Sequence, residues 1–552
     1  MSKKIIIAVV AILVVVVAAG TFYYLRVQEQ KRVALEKKIR QETLIVSFDQ
    51  MPQTLNPLLD QNAAGLTLLD PLFDGLSNRT GLKVRSYKNG LAADFIQDED
   101  KYNIFTIELD PDKRWHDDPN HLVTSRDVRF TYECIVNENN RSPLRGRINQ
   151  LIDRIDIVDK VTLRVVFKEN ISVHVVRDLL AFKIIPSSYY GKAMSVDLLT
   201  DPVAQEFAKS PVGTGPFKFR EWQGNKILYT LVTAEAAIQE EKEDEEDDDT
   251  AAADSTKKHI KIQRIESILV HDLEKQVRML MDGKIDLMLE TTPKLHEMMD
   301  EVGLKNSEYI PLHYYAIAFN TDIPYFSKKL VRQAVSQSIN RYELAQQVWD
   351  GSVSRFINKG PFPHNDDKRY SKFKNLLPYN QQRAHKYLKK KGGFTATLIY
   401  QADASKTMER LAGKISLALA DVGITVEAKG LGMAFETQLA NKSFELALVR
   451  QSGFTDGYNI ADLYRSGSAK NISGFRSEKL DKLFDRWENS AFWETRLPVA
   501  KQIHKYVLDQ SPYIFLFSLP TRAYYSSRLE EVTIVDPNAL MGSVSSWLIV
   551  AQ

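Results

Sequence analysis

The sequence predicts an α/β protein of more than one domain. Strand-like and helix-like runs interleave over the whole length, which indicates an α/β fold rather than an all-α or all-β one. A chain of 552 residues is too long for a single hydrophobic core and indicates two or three domains. The strand-like runs cover residues 43–48, 102–109, 161–167 and 226–232, and the helix-like runs cover residues 66–76, 125–136, 273–281, 328–339 and 411–422.

The amino-acid composition limits the binding partners and the covalent cross-links that we expect for this chain. The hydrophobic content of 44% and the charged content of 26% are ordinary for a globular protein, and a net charge of +2 gives no reason to expect nucleic acid. Cys134 is the only cysteine, so an intramolecular disulfide is impossible. Because it lies in an amphipathic helical pattern, we expect a buried, inert thiol.

The N-terminal 41 residues differ from the rest of the chain. Residues 5–25 contain no charged side chain, and as a helix they are long enough for a bilayer core of about 30 Å. We favour an uncleaved single-span anchor, because the apolar run continues through the tyrosines of residues 22–25. The alternative is a cleaved signal peptide with a small-residue exit at residues 18–20. Residues 26–41 lack Gly and Pro and predict a helical stalk.

Residues 240–249 form an acidic stretch with nine acids and one lysine. Charges of one sign at this density repel each other and cannot form a core. We therefore expect a solvated loop between two strands. The alternative is a cation-binding flap, although no His or turn-forming Gly organises these carboxylates.

Residues 210–219, with the sequence SPVGTGPFKF, predict a rigid turn that leads into a strand. Glycine permits positive φ angles and close backbone approach, whereas proline fixes φ and stops a helix. This segment closely resembles the signature of the family 5 extracytoplasmic solute-binding proteins. Those proteins are the oligopeptide- and dipeptide-binding subunits of ABC importers.

Further segments resemble the same family in the same order, between about residues 42 and 535. Two positions depart from the family pattern: Pro119 stands where the family has Gly, and Asn340 stands where it has Asp. The last segment resembles the strand that returns to the first lobe. The resembling segments are residues 114–130, 281–286, 319–341, 360–363 and 510–517.

The resemblance implies a bilobed fold like that of the periplasmic binding proteins, of the class II or cluster C type, which closes on its ligand by a hinge motion. It implies an extra subdomain in the first lobe, and the N-terminal transmembrane helix would precede the whole body. The expected division is residues 1–41 for the anchor and stalk, 42–58 with 211–310 and 515–552 for lobe I, 59–210 for the additional subdomain, and 311–514 for lobe II.

The resemblance also implies a ligand site. In peptide-binding members, an Asp six residues after an Arg pairs with the ligand's amino terminus, and this spacing matches Arg450 and Asp456. A carboxylate–ammonium pair can fix the polarity of a ligand in a dry cleft. Phe454 lies between them, and Gly453 replaces a tryptophan common in this loop. Asp456 has an alternative role as a turn residue, because Gly457 follows it.

Met51 and Gln53 match a family segment that offers backbone hydrogen bonds to an extended peptide. The alternative is an ordinary strand end, and Pro52 removes one backbone donor from this segment.

We predict no catalytic residue, no metal site and no cofactor, because the sequence has no Gly-x-Ser-x-Gly, His-Glu-x-x-His or P-loop motif. The expected function is a solute-binding protein at the inner (cytoplasmic) membrane, single-pass, with its body in the periplasm or extracytoplasmic space. It would deliver a peptide or other small solute to ABC permease subunits. The alternative is a ligand sensor or protein-interaction module at the membrane that does not transport.

Overall fold

The computed structural model describes most of the chain. The residues outside the description are 1–2, 53, 60–62, 82–85, 172, 233–258, 290–292, 311–312, 350–352, 363–371, 376, 391, 403–405, 433, 453–457, 489, 491–492, 537–538 and 551–552. For residues 3–20, 63, 293–294, 297, 313, 355, 452, 458–459, 488 and 493, only the backbone is described.

Helices and strands alternate along the described chain, as the sequence predicts. The helices are α1 Lys3–Glu42, α2 Ala63–Leu69, α3 Ser125–Val136, α4 Arg145–Leu151, α5 Val173–Leu179, α6 Pro202–Phe207, α7 Leu273–Met281, α8 Pro293–Glu301, α9 Lys329–Ser338, α10 Arg341–Gln346, α11 Gln381–Lys389, α12 Thr407–Ala420, α13 Ala434–Ala440, α14 Tyr458–Asp462, α15 Glu478–Glu488 and α16 Trp493–Gln510. The strands are β1 Thr43–Phe48, β2 Ser77–Arg79, β3 Tyr87–Asn89, β4 Ala92–Gln97, β5 Ile104–Leu109, β6 Ile152–Ile157, β7 Thr162–Phe167, β8 Phe217–Gln223, β9 Lys226–Leu231, β10 His259–Lys261, β11 Arg264–Leu269, β12 Leu287–Met288, β13 Lys305–Tyr309, β14 His313–Phe319, β15 Phe394–Gln401, β16 Ile424–Leu431, β17 Leu446–Ser452, β18 Tyr513–Phe515, β19 Thr521–Tyr525, β20 Leu529–Glu530 and β21 Leu548–Val550.

Two large sheets organise the protein. Among the described residues, the first lobe holds a seven-stranded sheet in the order β13-β19-β12-β1-β11-β9-β8, and the second lobe holds a five-stranded sheet in the order β16-β15-β17-β14-β18. A four-stranded antiparallel sheet, β4-β5-β7-β6, forms a separate layer of the first lobe. Its inward-facing residues Phe105 and Leu163 belong to the same hydrophobic core as Leu44 of β1, so this layer packs on the first lobe as part of one body.

The five-stranded sheet is buried on both faces. Along β14, Ile317 and Phe319 enter the core on one face, whereas Ala316 and Ala318 enter the core on the other. Strand residues alternate between faces, so a strand covered on both sides carries a continuous apolar run. This explains why residues 314–319 read as uniformly hydrophobic.

The glycines of the 210–219 turn are required by close backbone approach. Neither Gly213 nor Gly215 has a positive φ, but a Cβ at Gly213 would lie 1.9 Å from the Leu72 carbonyl oxygen, and one at Gly215 would lie 2.5 Å from the Pro71 carbonyl oxygen. The backbone N–H groups of Thr214 and Gly215 both donate to the Leu72 carbonyl. The turn is therefore pressed against residues 71–72, and any side chain at these glycines would separate the two segments.

The long helix α1 joins β1 without a linker and is held to the first lobe by Asp286. The buried Asp286 carboxylate accepts hydrogen bonds from both terminal nitrogens of Arg40, at 2.8 and 2.9 Å, and from Arg528 at 2.8 Å. It also accepts the Ile45 N–H at 2.9 Å. A bidentate carboxylate–guanidinium pair fixes orientation as well as distance, so the end of α1 has one defined position on the sheet.

The continuous helix Lys3–Glu42 confirms that residues 26–41 are helical, as predicted. Where side chains are described, no helix combines the length and the apolar character needed to cross a bilayer. The side chains of residues 3–20 lie outside the described ones, so the membrane span over residues 5–25 stays a prediction.

Most predicted elements are confirmed. The helices at Ser125–Val136 and Leu273–Met281 and the strand at Thr43–Phe48 have the predicted bounds. Cys134 is buried, and burial raises the pKa of its thiol to about 11, as expected of an inert cysteine. Two segments differ. The helix predicted over residues 66–76 is observed as Ala63–Leu69 and ends before Pro71, because the residue before a proline is disfavoured in a helix. In addition, β18 pairs with β14 in the second lobe, so the first strand after the return to the first lobe is β19.

We predict that Gly213→Ala lowers the free energy of unfolding by about 3 kcal/mol or more, because the new methyl group overlaps a backbone carbonyl that cannot move independently. Urea unfolding of the full chain measures the change. Gly146→Ala is the control, since Gly146 lies on α4 with no atom within 4 Å of an added Cβ, and alanine there is expected to be neutral or slightly stabilising. Equal stability of the two variants would contradict the close-approach argument.

We predict that Asp286→Asn lowers the free energy of unfolding by about 3 to 5 kcal/mol, because it leaves Arg40 and Arg528 facing a neutral amide. Asp282→Asn is the matched control: Asp282 lies four residues away and makes an exposed pair with Lys284, worth about 0 to 1 kcal/mol. Thermal and urea unfolding of both variants would show a large difference if Asp286 holds the helix–sheet junction, and no difference if it does not.

Candidate functional site

The chain passes between the two large sheets twice. These crossings lie at one end of the strands in each sheet, and we call that end the crossing edge. The first crossing runs from the end of β13 to the start of β14, and the second runs from the end of β18 to the start of β19. Strand ends that lie beside these crossings therefore face the other lobe.

In the second lobe, the end of β17 lies at the crossing edge. Strand β17 is antiparallel to β14, with Arg450 opposite Tyr315 and Gln451 opposite Tyr314. Because β14 begins at the crossing, β17 must end there. Arg450 is exposed at this edge, whereas Gln451 is buried.

In the first lobe, the same argument places the ends of β1 and β11 at the crossing edge. Strand β19 starts at the return crossing and is antiparallel to β12. Strands β12, β1 and β11 are parallel to one another, so all three end where β19 begins. The carboxyl ends of β1, β11 and β17 thus lie where the lobes meet, and such ends are where open α/β sheets commonly bind ligands.

Met51 lies in the segment that leaves β1 at this edge. It is half-buried and packs against the hydrophobic core of the first lobe. The structure does not show a free strand edge here, because β1 ends at Phe48 and is paired on both sides by β11 and β12. Backbone pairing with a ligand along β1 is therefore unavailable, and any backbone contact must come from the residues that follow it.

The structure places Arg450 at the crossing edge of the second lobe and Met51 at that of the first lobe. It does not describe the other predicted site residues. Gln53, Gly453, Phe454 and Asp456 lie outside the described residues, as does the acidic stretch at 240–249. Their roles remain predictions from the family resemblance.

Sequence reasoning missed His271, which follows β11 at the same edge. Its Nδ1 lies 2.9 Å from the carbonyl oxygen of Asp49, just after β1. The pair exists because β1 and β11 are parallel neighbours, although they are more than 200 residues apart in sequence. The only signal in the sequence was a polar pair, His271 and Asp272, directly after a strand-like run.

A separate cavity of about 830 Å³ opens on the first lobe beside the β8–β9 hairpin. Its wall combines apolar and charged side chains without a buried group that would orient a ligand. The lining residues are Thr54, Leu59, Leu198, Leu199, Gln205, Ala208, Lys209, Ser210, Phe219, Arg220, Glu221, Trp222 and Gly224. Over the described part of the chain, no group of three or more His, Cys, Asp or Glu side chains could hold a metal ion.

The segments that resemble a known family have defined structural roles. Asp127 forms a capping box with Thr124 at the start of α3 and accepts hydrogen bonds from the Ser187 N–H and hydroxyl. Asn340 caps α10 by accepting the Glu343 N–H, and since Asn caps helices as well as Asp does, this departure from the family pattern preserves the local structure.

Two lobes, two crossings and strand ends that meet between them define a bilobed binding protein. Residues 86–471 match the bacterial extracellular solute-binding proteins, family 5 Middle. This match covers more than two thirds of the chain, so the protein belongs to this family. A solute-binding role follows from membership, as does the bilobed α/β fold expected from the sequence.

Individual relatives are similar over most of their length. The chain is 22% identical over 503 residues to the oligopeptide-binding protein AppA of Bacillus subtilis, covering 86% of each chain. The ABC transporter substrate-binding protein CtaP from Listeria monocytogenes has a similar structure, with a TM-score of 0.77, 19% identity and coverage of 92% of this chain and 99% of that one. The structure of Bacillus subtilis AppA in complex with a nonapeptide aligns with a TM-score of 0.71 and 19% identity, over 92% of this chain and 98% of that one.

Proposed function

We propose that this protein captures a peptide-like solute between its two lobes and delivers it to an ABC importer. The observation that carries the proposal is the convergence of the carboxyl ends of β1, β11 and β17 at the edges where the lobes meet. Support for a peptide comes from a relative: the aligned AppA structure contains a nonapeptide. Binding requires no covalent step, because lobe closure alone buries the solute.

In this proposal, residues after β17 recognise the end of the peptide. Strand β17 pairs with β14 up to its last residue, Ser452, so the residues that follow it start from a position fixed by that pairing. Asp456 pairs with the amino terminus of the peptide, and Arg450 and Phe454 flank it. Gly453, which has no side chain of its own, is proposed to accommodate the first side chain of the peptide.

Across the cleft, Met51 and Gln53 contact the solute from the first lobe. The half-buried position of Met51 against the first-lobe core makes it a fixed apolar surface. Since β1 itself is paired on both sides, these residues contribute from the segment after the strand.

The proposed location is the inner membrane, with the N-terminal helix as a single span and the body on the extracytoplasmic side. Residues 5–25 carry no charge, and the described side chains of residues 21–38 are exposed except for a half-buried Val27. The helix contacts the body near its end, where Arg40 meets Asp286.

A second candidate function is a ligand sensor or interaction module that does not transport. The observation that favours it is the same junction: α1 passes into β1 with no flexible residues between them, so the body is held in one orientation relative to the helix. A fixed orientation suits a permanent complex at the membrane. Copurification of permease subunits with the full chain would favour the importer function instead.

We predict that the full chain, purified in mild detergent and examined by native mass spectrometry, releases peptides of mixed sequence. Asp456→Asn should weaken the binding of a synthetic peptide pool by about 30-fold or more, the effect of removing one partner of a desolvated charge pair.

The control variant is Asp462→Asn, because Asp462 ends α14 close by and makes a longer contact of 3.6 Å with Lys470. A protein that carries no peptide and whose melting temperature does not shift with peptide pools would overturn the peptide proposal and favour the sensor function. Equal losses in both variants would remove the specific role of Asp456.

A further inference from the structure

Trp349 of the second lobe contacts the first lobe beside the start of β19, through side chains that are not among the predicted site residues. It follows α10 and belongs to the hydrophobic core of the second lobe, where its ring meets Phe356 edge-on at 6.3 Å. It also meets His296 of α8 edge-on, with ring centroids 5.6 Å apart. The Arg522 guanidinium lies 5.6 Å from the Trp349 ring centroid. One buried side chain therefore joins both lobes.

The first-lobe surface that receives Trp349 consists of His296, Arg522 and Tyr524, and we call it the interlobe cup. His296 and Tyr524 are in contact, with ring centroids 5.7 Å apart. The carboxylate of Asp300 on α8 accepts a hydrogen bond from the Tyr524 hydroxyl at 2.8 Å and from Arg522 at 3.0 Å. These hydrogen bonds hold α8 against β19, so the positions of the cup residues do not depend on the contact with Trp349.

Tyr524 of the cup keeps its proton at neutral pH. Burial, together with the hydrogen bond to Asp300, raises the pKa of Tyr524 to about 12, so its hydroxyl remains a donor to that carboxylate. Arg522 also lies 3.8 Å from Glu308 on β13. The guanidinium is thereby held on three sides, by Asp300, Glu308 and the ring of Trp349, which leaves the cation–π contact well defined.

The contact of Trp349 with the cup matters because two chain crossings alone constrain the relative orientation of the lobes only weakly. A hinge of two crossing segments permits bending about one axis and twisting about another. A third contact, made by side chains beside those segments, restricts the relative orientation of the lobes further. Only 6% of Trp349 is exposed, so the ring has little surface to offer a solute and must act through the position of the lobes.

We propose that Trp349 seated in the interlobe cup is a third connection between the lobes, which restricts their relative orientation and thereby sets the affinity for the solute. The apparent dissociation constant is the intrinsic one divided by the fraction of molecules whose lobes can close productively. Loss of the contact spreads the lobes over more orientations and lowers that fraction. The inference rests on the proposed closure around a solute, but its first test needs no solute.

The test measures the distance between the lobes in the full chain by double electron–electron resonance. Spin labels are placed at Asp112→Cys in the first lobe and Lys414→Cys in the second, both exposed positions. The native Cys134 is buried and resists labelling. We expect Trp349→Ala and His296→Ala each to broaden the distance distribution of the solute-free protein. Tyr342→Ala, an exposed aromatic on α10, is the matched control and should leave the distribution unchanged.

The second readout is the affinity for a synthetic peptide pool, which we expect both variants to lower by about 5-fold or more. If Trp349→Ala fails to fold because the second-lobe core loses its ring, His296→Ala carries the test, since that side chain lies in the first lobe. Distance distributions that superimpose on the wild type for His296→Ala would overturn the inference.

Broader distributions with unchanged affinity would overturn the link to binding. A wild type that binds no peptide would overturn the proposed function, while the distances would still decide whether Trp349 restrains the lobes.

Discussion

The buried carboxylate of Asp286 joins parts of the first lobe that are far apart in sequence. It binds Arg40 from the end of the N-terminal helix, Arg528 from near the C-terminus and the backbone of Ile45 in β1. Each partner neutralises or hydrogen-bonds a charge that could not be buried alone. Because β1 lies in the middle of the seven-stranded sheet, this one interaction fixes the start of a central strand whose other end lies at the binding region.

The pairing of strands in the two large sheets determines where the binding region lies. Antiparallel pairing to strands that start at the crossings places the ends of β1, β11 and β17 opposite one another. Rigid central strands then position short segments whose side chains can vary without disturbing the core. This arrangement explains how a family can keep one scaffold at low sequence identity, since the conserved geometry depends on pairing and packing whereas the solute contacts lie in the segments beyond the strands.

Local rules predicted a large part of the fold. The helix at Ser125–Val136 could be located because Thr124 and Asp127 form a capping box before an amphipathic run, and these signals act within four residues. The turn at Gly213 could be recognised, but its reason could not, because the oxygen that excludes a side chain belongs to Leu72, more than 100 residues earlier. The return to the first lobe was placed one strand early, since only the pairing of β18 with β14, a strand about 200 residues earlier, assigns β18 to the second lobe.

The sequence by itself determined the α/β class, the helical N-terminus, the buried inert cysteine and the family to which the chain belongs. These depend on periodicity, capping, composition and short motifs, which are properties of neighbouring residues. Only the tertiary structure decided that Asp286 clamps the N-terminal helix, that β1 has no free edge to offer a ligand, that His271 meets Asp49 and that Trp349 joins the lobes. Each of these arises from contacts between residues distant in the chain, whose pairing is selected by the packing of whole sheets rather than by any local pattern.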